Sequence, residues 1–258
     1  GVNIANTVGM YFNTNFNVNS GTATQLGVIG DFGLSEGITK TGNGTLILKV
    51  GFYLGGTTIN GGILSLANSL TVTSGITVAD GATLQLQSGA EINSATLALA
   101  SGSTLDITTN SITFDTTVTG HDAATLLADL TNSYDEGAWD LPGITSSVAA
   151  ASSGITTIGY LNDSDTNTFT IAYTLPGDTN LDGVVDAEDA TNMTHGIGWN
   201  DFNYDGVVNA DDLALFLLGV AYGTPPAVSV PEPAMPLAML GIVALAASRR
   251  RRGLGLEG

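Results

Sequence analysis

Two stretches concentrate oxygen donors at matching intervals: "DTNLDGVVDAED", residues 178 to 189, and "DFNYDGVVNADD", residues 201 to 212, both read D-x-N-x-D-G-x-x-[DN]-x-x-D. A calcium loop takes side-chain oxygens from positions 1, 3, 5 and 12 and a carbonyl from 7. It often holds a water through 9, and Gly at 6 permits the bend. The first loop offers Asp178, Asn180, Asp182, Val184, Asp186 and Asp189 around Gly183. The second offers Asp201, Asn203, Asp205, Val207, Asn209 and Asp212 around Gly206. Oxygen-only donors suit Ca²⁺ better than zinc or copper. Carboxylates held this close repel by energies on the order of kcal/mol unless a dication sits between them. Two solvated Asn/Asp turns are the plain alternative, and duplication of the whole pattern argues against it. The expected cofactor is calcium, two ions.

The elements that must position these oxygens are helices. Asp186 and Asn209 stand where N-caps belong, and Leu213, Phe216 and Leu217 form an apolar stripe that stops at Gly219. The helix after the first loop is poorer, its Ala190, Met193 and Ile197 broken by Gly196 and Gly198. Paired loops, each followed by one helix and 23 residues apart, resemble the type I dockerin duplication. The resemblance implies two calcium ions and docking onto a cohesin domain. Dockerins that bind cohesin usually carry small polar pairs at loop positions 10 and 11, where this chain has Ala187-Glu188 and Ala210-Asp211. The calcium ligands therefore carry over, and the partner, cohesin-like or an extracellular polysaccharide, stays open.

Upstream, residues 37 to 119 carry short alternating runs such as "GTLILKV", "GGILSL", "GATLQLQ" and "STLDITT", separated by turn dipeptides such as Asn43-Gly44, Asn60-Gly61 and Asp80-Gly81. Leu46, Leu64, Leu84 and Leu105 recur at intervals of 18, 20 and 21 residues. Near-constant spacing of this size predicts solenoid coils that bury one apolar row and present Thr, Ser, Asn and Gln outward, where they can form hydrogen-bonded ladders. The stretch "GITKTGNGTLILKVGFYLGGTTINGGILSLANS", residues 37 to 69, resembles the autotransporter-associated β-strand repeat, which implies a right-handed parallel β-helix. The Asn- and Thr-rich first 36 residues read as degenerate coils or a frayed end. "HDAATLLADL" predicts a short helix within a covering module.

At the other end, Pro231-Glu232-Pro233 precedes an apolar run from Ala234 to Ala247 and the basic tetrad Arg249, Arg250, Arg251 and Arg252. This order resembles the PEP-CTERM sorting signal. It implies transient membrane insertion through a C-terminal helix, with the arginines on the cytoplasmic side, and removal by an exosortase-type protease.

The expected fold class is mainly β: a right-handed parallel β-helix, then a small α-helical dockerin-like calcium module and a transmembrane sorting helix. The boundaries are 1–119 for the solenoid, clearest at 37–69, 120–175 for a cap or small β-containing module, 176–222 for the calcium module, and 223–258 for linker and signal. The formal charge of −18, with only Lys40 and Lys49 outside the arginine run, excludes nucleic acid as a ligand. The absence of cysteine excludes disulfides and thiol chemistry. Gly1, with no leader ahead of it, is expected to mark a fragment edge.

No catalytic residue is expected. "GLSEG" around Ser35 has the form of a nucleophile elbow but is followed by a β-repeat, and His121 and His195 stand apart in sequence. Tyr134, Trp139 and Tyr160 could stack on sugar, although covering the solenoid end suits them better. The expected function is an exported, non-catalytic structural or adhesive protein of the cell surface or extracellular matrix, membrane-anchored until its tail is processed. The alternative is the rear part of a polysaccharide-processing protein attached through its dockerin-like module, with a catalytic region upstream.

Overall fold

The computed structural model describes residues 1–224 apart from 50, 73, 95 and 119; the sorting signal lies outside the described residues. The expected C-terminal transmembrane helix falls there. Among the described residues no helix is long and apolar enough to cross a membrane.

Fifteen short strands wind into five coils of three. These are β1 (Val2–Ile4), β2 (Val8–Gly9) and β3 (Thr14–Asn17); β4 (Thr22–Gln25), β5 (Ile29–Gly30) and β6 (Ile38–Thr41); β7 (Thr45–Leu48), β8 (Gly51–Tyr53) and β9 (Thr57–Ile59); β10 (Ile63–Leu66), β11 (Leu70–Val72) and β12 (Ile76–Val78); and β13 (Thr83–Leu86), β14 (Ile92–Ser94) and β15 (Leu97–Leu99). Every strand pairs in parallel with its counterparts in the coils before and after, giving three sheets. The first sheet gains two further rungs, β16 (Thr104–Asp106) and β18 (Gly143–Thr145), and so reaches seven strands. The first 36 residues are thus ordered coils and not a frayed end.

The leucine interval has a direct structural cause. Leu46, Leu64, Leu84, Leu105 and Ile144 are register partners, one above the next, and all are buried. Leu48, Leu66 and Leu86 make a second inward row two residues on. Outward positions between them carry the expected ladder. Ser65 Oγ donates to Gln85 Oε1 at 2.9 Å, and Gln85 Nε2 donates to Asp106 Oδ2 at 2.9 Å.

The strand β17 (Ser111–Asp115), which its alternating pattern placed with the coils, leaves the stack. It pairs antiparallel with β20 (Thr168–Thr174), which pairs antiparallel with β19 (Thr157–Asp163). Helix α1 (Ala123–Tyr134), N-capped by Asp122, packs against β18. A short helix α2 (Ser147–Ala151) leads into β19. Two more helices follow, α3 (Ala187–His195) and α4 (Ala210–Tyr222).

Candidate metal centre

Each acidic loop is the segment immediately before a helix, and its last Asp belongs to the helix's first turn. Asp186 and Asn209 are the N-caps of α3 and α4, as their types require. Each forms a capping box with the Asp three residues on. Asp189 Oδ2 accepts from Asp186 N at 2.9 Å, and Asp212 Oδ2 accepts from Asn209 N at 2.8 Å. Gly196, with φ of 65°, ends α3 where the sequence predicted the break, and His195 is that helix's last residue.

The loops repeat each other nearly bond for bond. Asp178 accepts from Asp182 N at 3.1 Å and Gly183 N at 3.0 Å; Asp201 accepts from Asp205 N at 3.2 Å and Gly206 N at 2.9 Å. Asn180 and Asn203 each take the same Asp amide, at 3.1 Å in both loops. Asp182 and Asp205 accept from Val184 N and Val207 N at 2.9 and 2.8 Å. Gly183 and Gly206 have φ of 86° and 84°, which glycine adopts without steric cost, and Leu181 and Tyr204, at position 4, also have positive φ, 59° and 57°.

The two loops differ in anchorage. Asp178 is fully buried and also accepts a hydrogen bond from the Thr174 hydroxyl of β20. Burial pushes its carboxyl above the usual range, and the charges of Asp189 and Asp182 push the same way, against the Thr174 and Gly183 hydrogen bonds. Asp201 is raised too, by burial first and by Asp212 and Asp205. The second loop is pinned through Tyr204, whose hydroxyl donates to Ile158 O of β19 at 2.6 Å. Trp139, Tyr134, Tyr160 and Trp199 surround that ring at centroid distances of 5.2 to 6.0 Å. Sequence reasoning missed this role of Tyr204, because position 4 of such a loop carries no ligand.

The donor set fits a hard cation in kind and order: oxygen only, with like charges crowded around the buried carboxylates of Asp178, Asp189 and Asp212. It does not present a ready carboxylate triad. Among the described residues no three or more His, Cys, Asp or Glu side chains form a group that could hold a metal ion. Asp189 and Asp212 already accept backbone amides through both oxygens. A cation here must therefore draw on the Asn180 and Asn203 amide oxygens and the Val184 and Val207 carbonyls as well as on carboxylates.

Other residues singled out by sequence lie elsewhere. Ser35 is in the loop between β5 and β6, with φ of 60° and a strand, not a helix, after it. His121 is buried, its Nε2 2.8 Å from Leu97 O and 2.9 Å from Leu97 N at the edge of β15. Trp139 is only 2% exposed, so the cap aromatics form a core and Trp139 presents no ring face to a sugar.

Against family models, residues 229–252 match the PEP-CTERM protein-sorting motif. The chain is thus an exported protein with a β-solenoid, sorted to the cell surface through an exosortase-processed tail. Pro231, Glu232, Pro233 and the four arginines all fall inside the match. No curated protein and no solved structure matches. The dockerin-like and repeat resemblances rest on the residues alone.

Proposed function

We propose that the chain is a non-catalytic structural or adhesive protein of the cell surface or extracellular matrix, in which a calcium-stabilised loop-helix pair follows a β-solenoid. The observation that carries the calcium assignment is the duplicated hydrogen-bond pattern of the two loops, which folds the position 1, 3 and 5 side chains back onto the loop backbone in both copies. Asp178, Asn180, Asp182, Val184 and Asp189 would hold one ion. Asp201, Asn203, Asp205, Val207 and Asp212 would hold the other, with Asp186 and Asn209 at the water-holding position. A bound dication supplies the positive charge that the crowded carboxylates lack. The chain's own part is to fix the oxygens through helix caps and through Thr174 and Tyr204.

The tail holds the protein at the membrane until it is removed. Loss of residues 232 to 258 takes away four arginines and two glutamates, leaving 22 acidic and 2 basic residues, a formal charge of −20. Two calcium ions offset four of these charges.

Titration calorimetry on the chain tests the assignment. Calcium should bind at two sites and raise the melting temperature, a gain of about 2.7 kcal/mol per site when calcium stands at a hundredfold its Kd. Asp178→Ala should remove one site and Asp201→Ala the other. No heat on titration, together with a melting curve indifferent to chelator, would refute it.

A further inference from the structure

The chain holds five Asn-Gly or Asp-Gly pairs: Asn43-Gly44, Asn60-Gly61, Asp80-Gly81, Asp182-Gly183 and Asp205-Gly206. Such a pair puts a side-chain carbonyl carbon within reach of the next backbone nitrogen, and glycine adds no Cβ to obstruct the approach. Reaction then depends on that nitrogen. To attack, it must give up its proton, and an amide already donating to a protein oxygen does so only when the local structure opens.

Four of the five are closed in this way. Gly44 N donates to Val18 O at 2.7 Å, and Gly81 N donates to Gly102 O at 3.0 Å. Gly183 N and Gly206 N donate to Asp178 and Asp201 at 3.0 and 2.9 Å, inside the acidic loops. Gly61 N differs, since it donates to no acceptor among the described residues. The corner around it is nevertheless pinned on both sides: Asn60 N donates to Lys40 O at 2.9 Å, and Ile63 N donates to Gly44 O at 3.3 Å. Asn60 is exposed and its side chain makes no hydrogen bond to the described residues, so its carboxamide is free to turn toward Gly61 N. Lys40 adds a charge. Its ammonium donates to Gly61 O at 3.0 Å, and a cation this close favours an anion on the neighbouring nitrogen.

We propose that Asn60 is a modification site of this protein, converted by ring closure onto Gly61 N and then by water. The deprotonated nitrogen attacks Asn60 Cγ and forms the new N–C bond of a succinimide. The Cγ–Nδ2 bond breaks, and ammonia leaves with the proton. Water then opens either carbonyl of the ring, giving aspartate at this position or an isoaspartate whose main chain runs through the former side chain. No oxidant or reductant enters. The isoaspartate product lengthens the corner by a methylene between Ile59, the last residue of β9, and the Gly61 carbonyl that Lys40 holds. Ageing therefore loosens the clasp by which Lys40 ties its own coil to the next. The site shares no residue with the calcium loops and stands or falls independently of them.

Incubation of the full chain in mildly alkaline buffer, followed by peptide mapping with mass spectrometry, tests this. The peptide holding Asn60 should gain the mass that exchange of an amide for an acid brings and should split into aspartate and isoaspartate forms. It should do so at least about tenfold faster than the peptide holding Asn43, whose partner amide must first break a hydrogen bond. Gly61→Ala should slow the reaction severalfold and leave the stack intact, because φ there is not positive and the nearest atom to an added Cβ is Gly42 O at 3.7 Å. Asn60→Gln, whose longer side chain closes a ring far more slowly, should keep its melting temperature on ageing while the aged wild type melts lower. Hydrogen exchange reads the same amide without a substitution: Gly61 should exchange well ahead of Gly44. Conversion at Asn60 no faster than at Asn43 overturns the proposal, and so does a Gly61 amide as protected as that of Gly44. An aged wild type that carries isoaspartate and melts as before overturns the loosening of the clasp.

Discussion

Lys40 shows how a single side chain can contradict its expected place. Its strand alternates as predicted, yet the alternation turns the lysine inward, between Phe16 and Ile59 in register. Its ammonium donates to the carbonyls of Thr41, Gly42 and Gly61 at 2.9, 2.8 and 3.0 Å. Burial lowers its pKa. Those carbonyls belong to two successive turns, so the charge ties one coil to the next. Lys40→Met keeps the stem and strands the acceptors, and should destabilise the fold by about 1–3 kcal/mol in urea denaturation. Asp31 makes the matching prediction for pH. Its carboxyl is held below the ordinary 3.8, first by the Leu54 amide. The folded state therefore binds fewer protons than the unfolded chain in that range. Its contribution is complete above about pH 4 and fades as pH falls through the lowered value. The stability advantage of the wild type over Asp31→Asn should be constant from pH 7 to 5 and shrink below 4; an advantage that grows in acid would contradict this.

Among the elements, the coils were legible because a parallel stack forces residues of one kind into register. The Leu46–Leu64–Leu84–Leu105 interval is the coil length itself. Truncating the middle of that row, Leu84→Ala, should cost about 2–5 kcal/mol. The fate of β17 was not legible, because alternation reports a half-buried strand but not its partner or direction. The face of α4 misled for a different reason. The stripe Leu213, Phe216 and Leu217 was expected to pack, yet Leu213 is 47% and Leu217 59% exposed while Phe216 and Gly219 are buried. A Cβ on Gly219 would fall 1.8 Å from Pro176 O, so the helix docks through its bare side, and backbone proximity outweighs the leucines. Gly219→Ala should therefore destabilise by about 1–3 kcal/mol or more. Leu217→Ser should stay within about 0.5 kcal/mol. Thermal melting of the two variants tests this reversal of the usual core expectation. The helix caps Asp186 and Asn209 were readable from spacing alone, whereas the loops' anchors, Thr174 and Tyr204, come from tertiary contacts that no local pattern announces.

For the whole molecule, the strands lie across the solenoid and their hydrogen bonds run from coil to coil. Each turn is held chiefly by its two neighbours, as in other repeat proteins. A load drawn along the stack would open the ladder of one turn before reaching the next. Lys40 and Asp31, by spanning adjacent turns, act as rivets at the second and third. In a single-molecule pulling experiment such a body should lengthen in small regular steps and absorb tension gradually, which suits a fibre under shear better than a brittle strut.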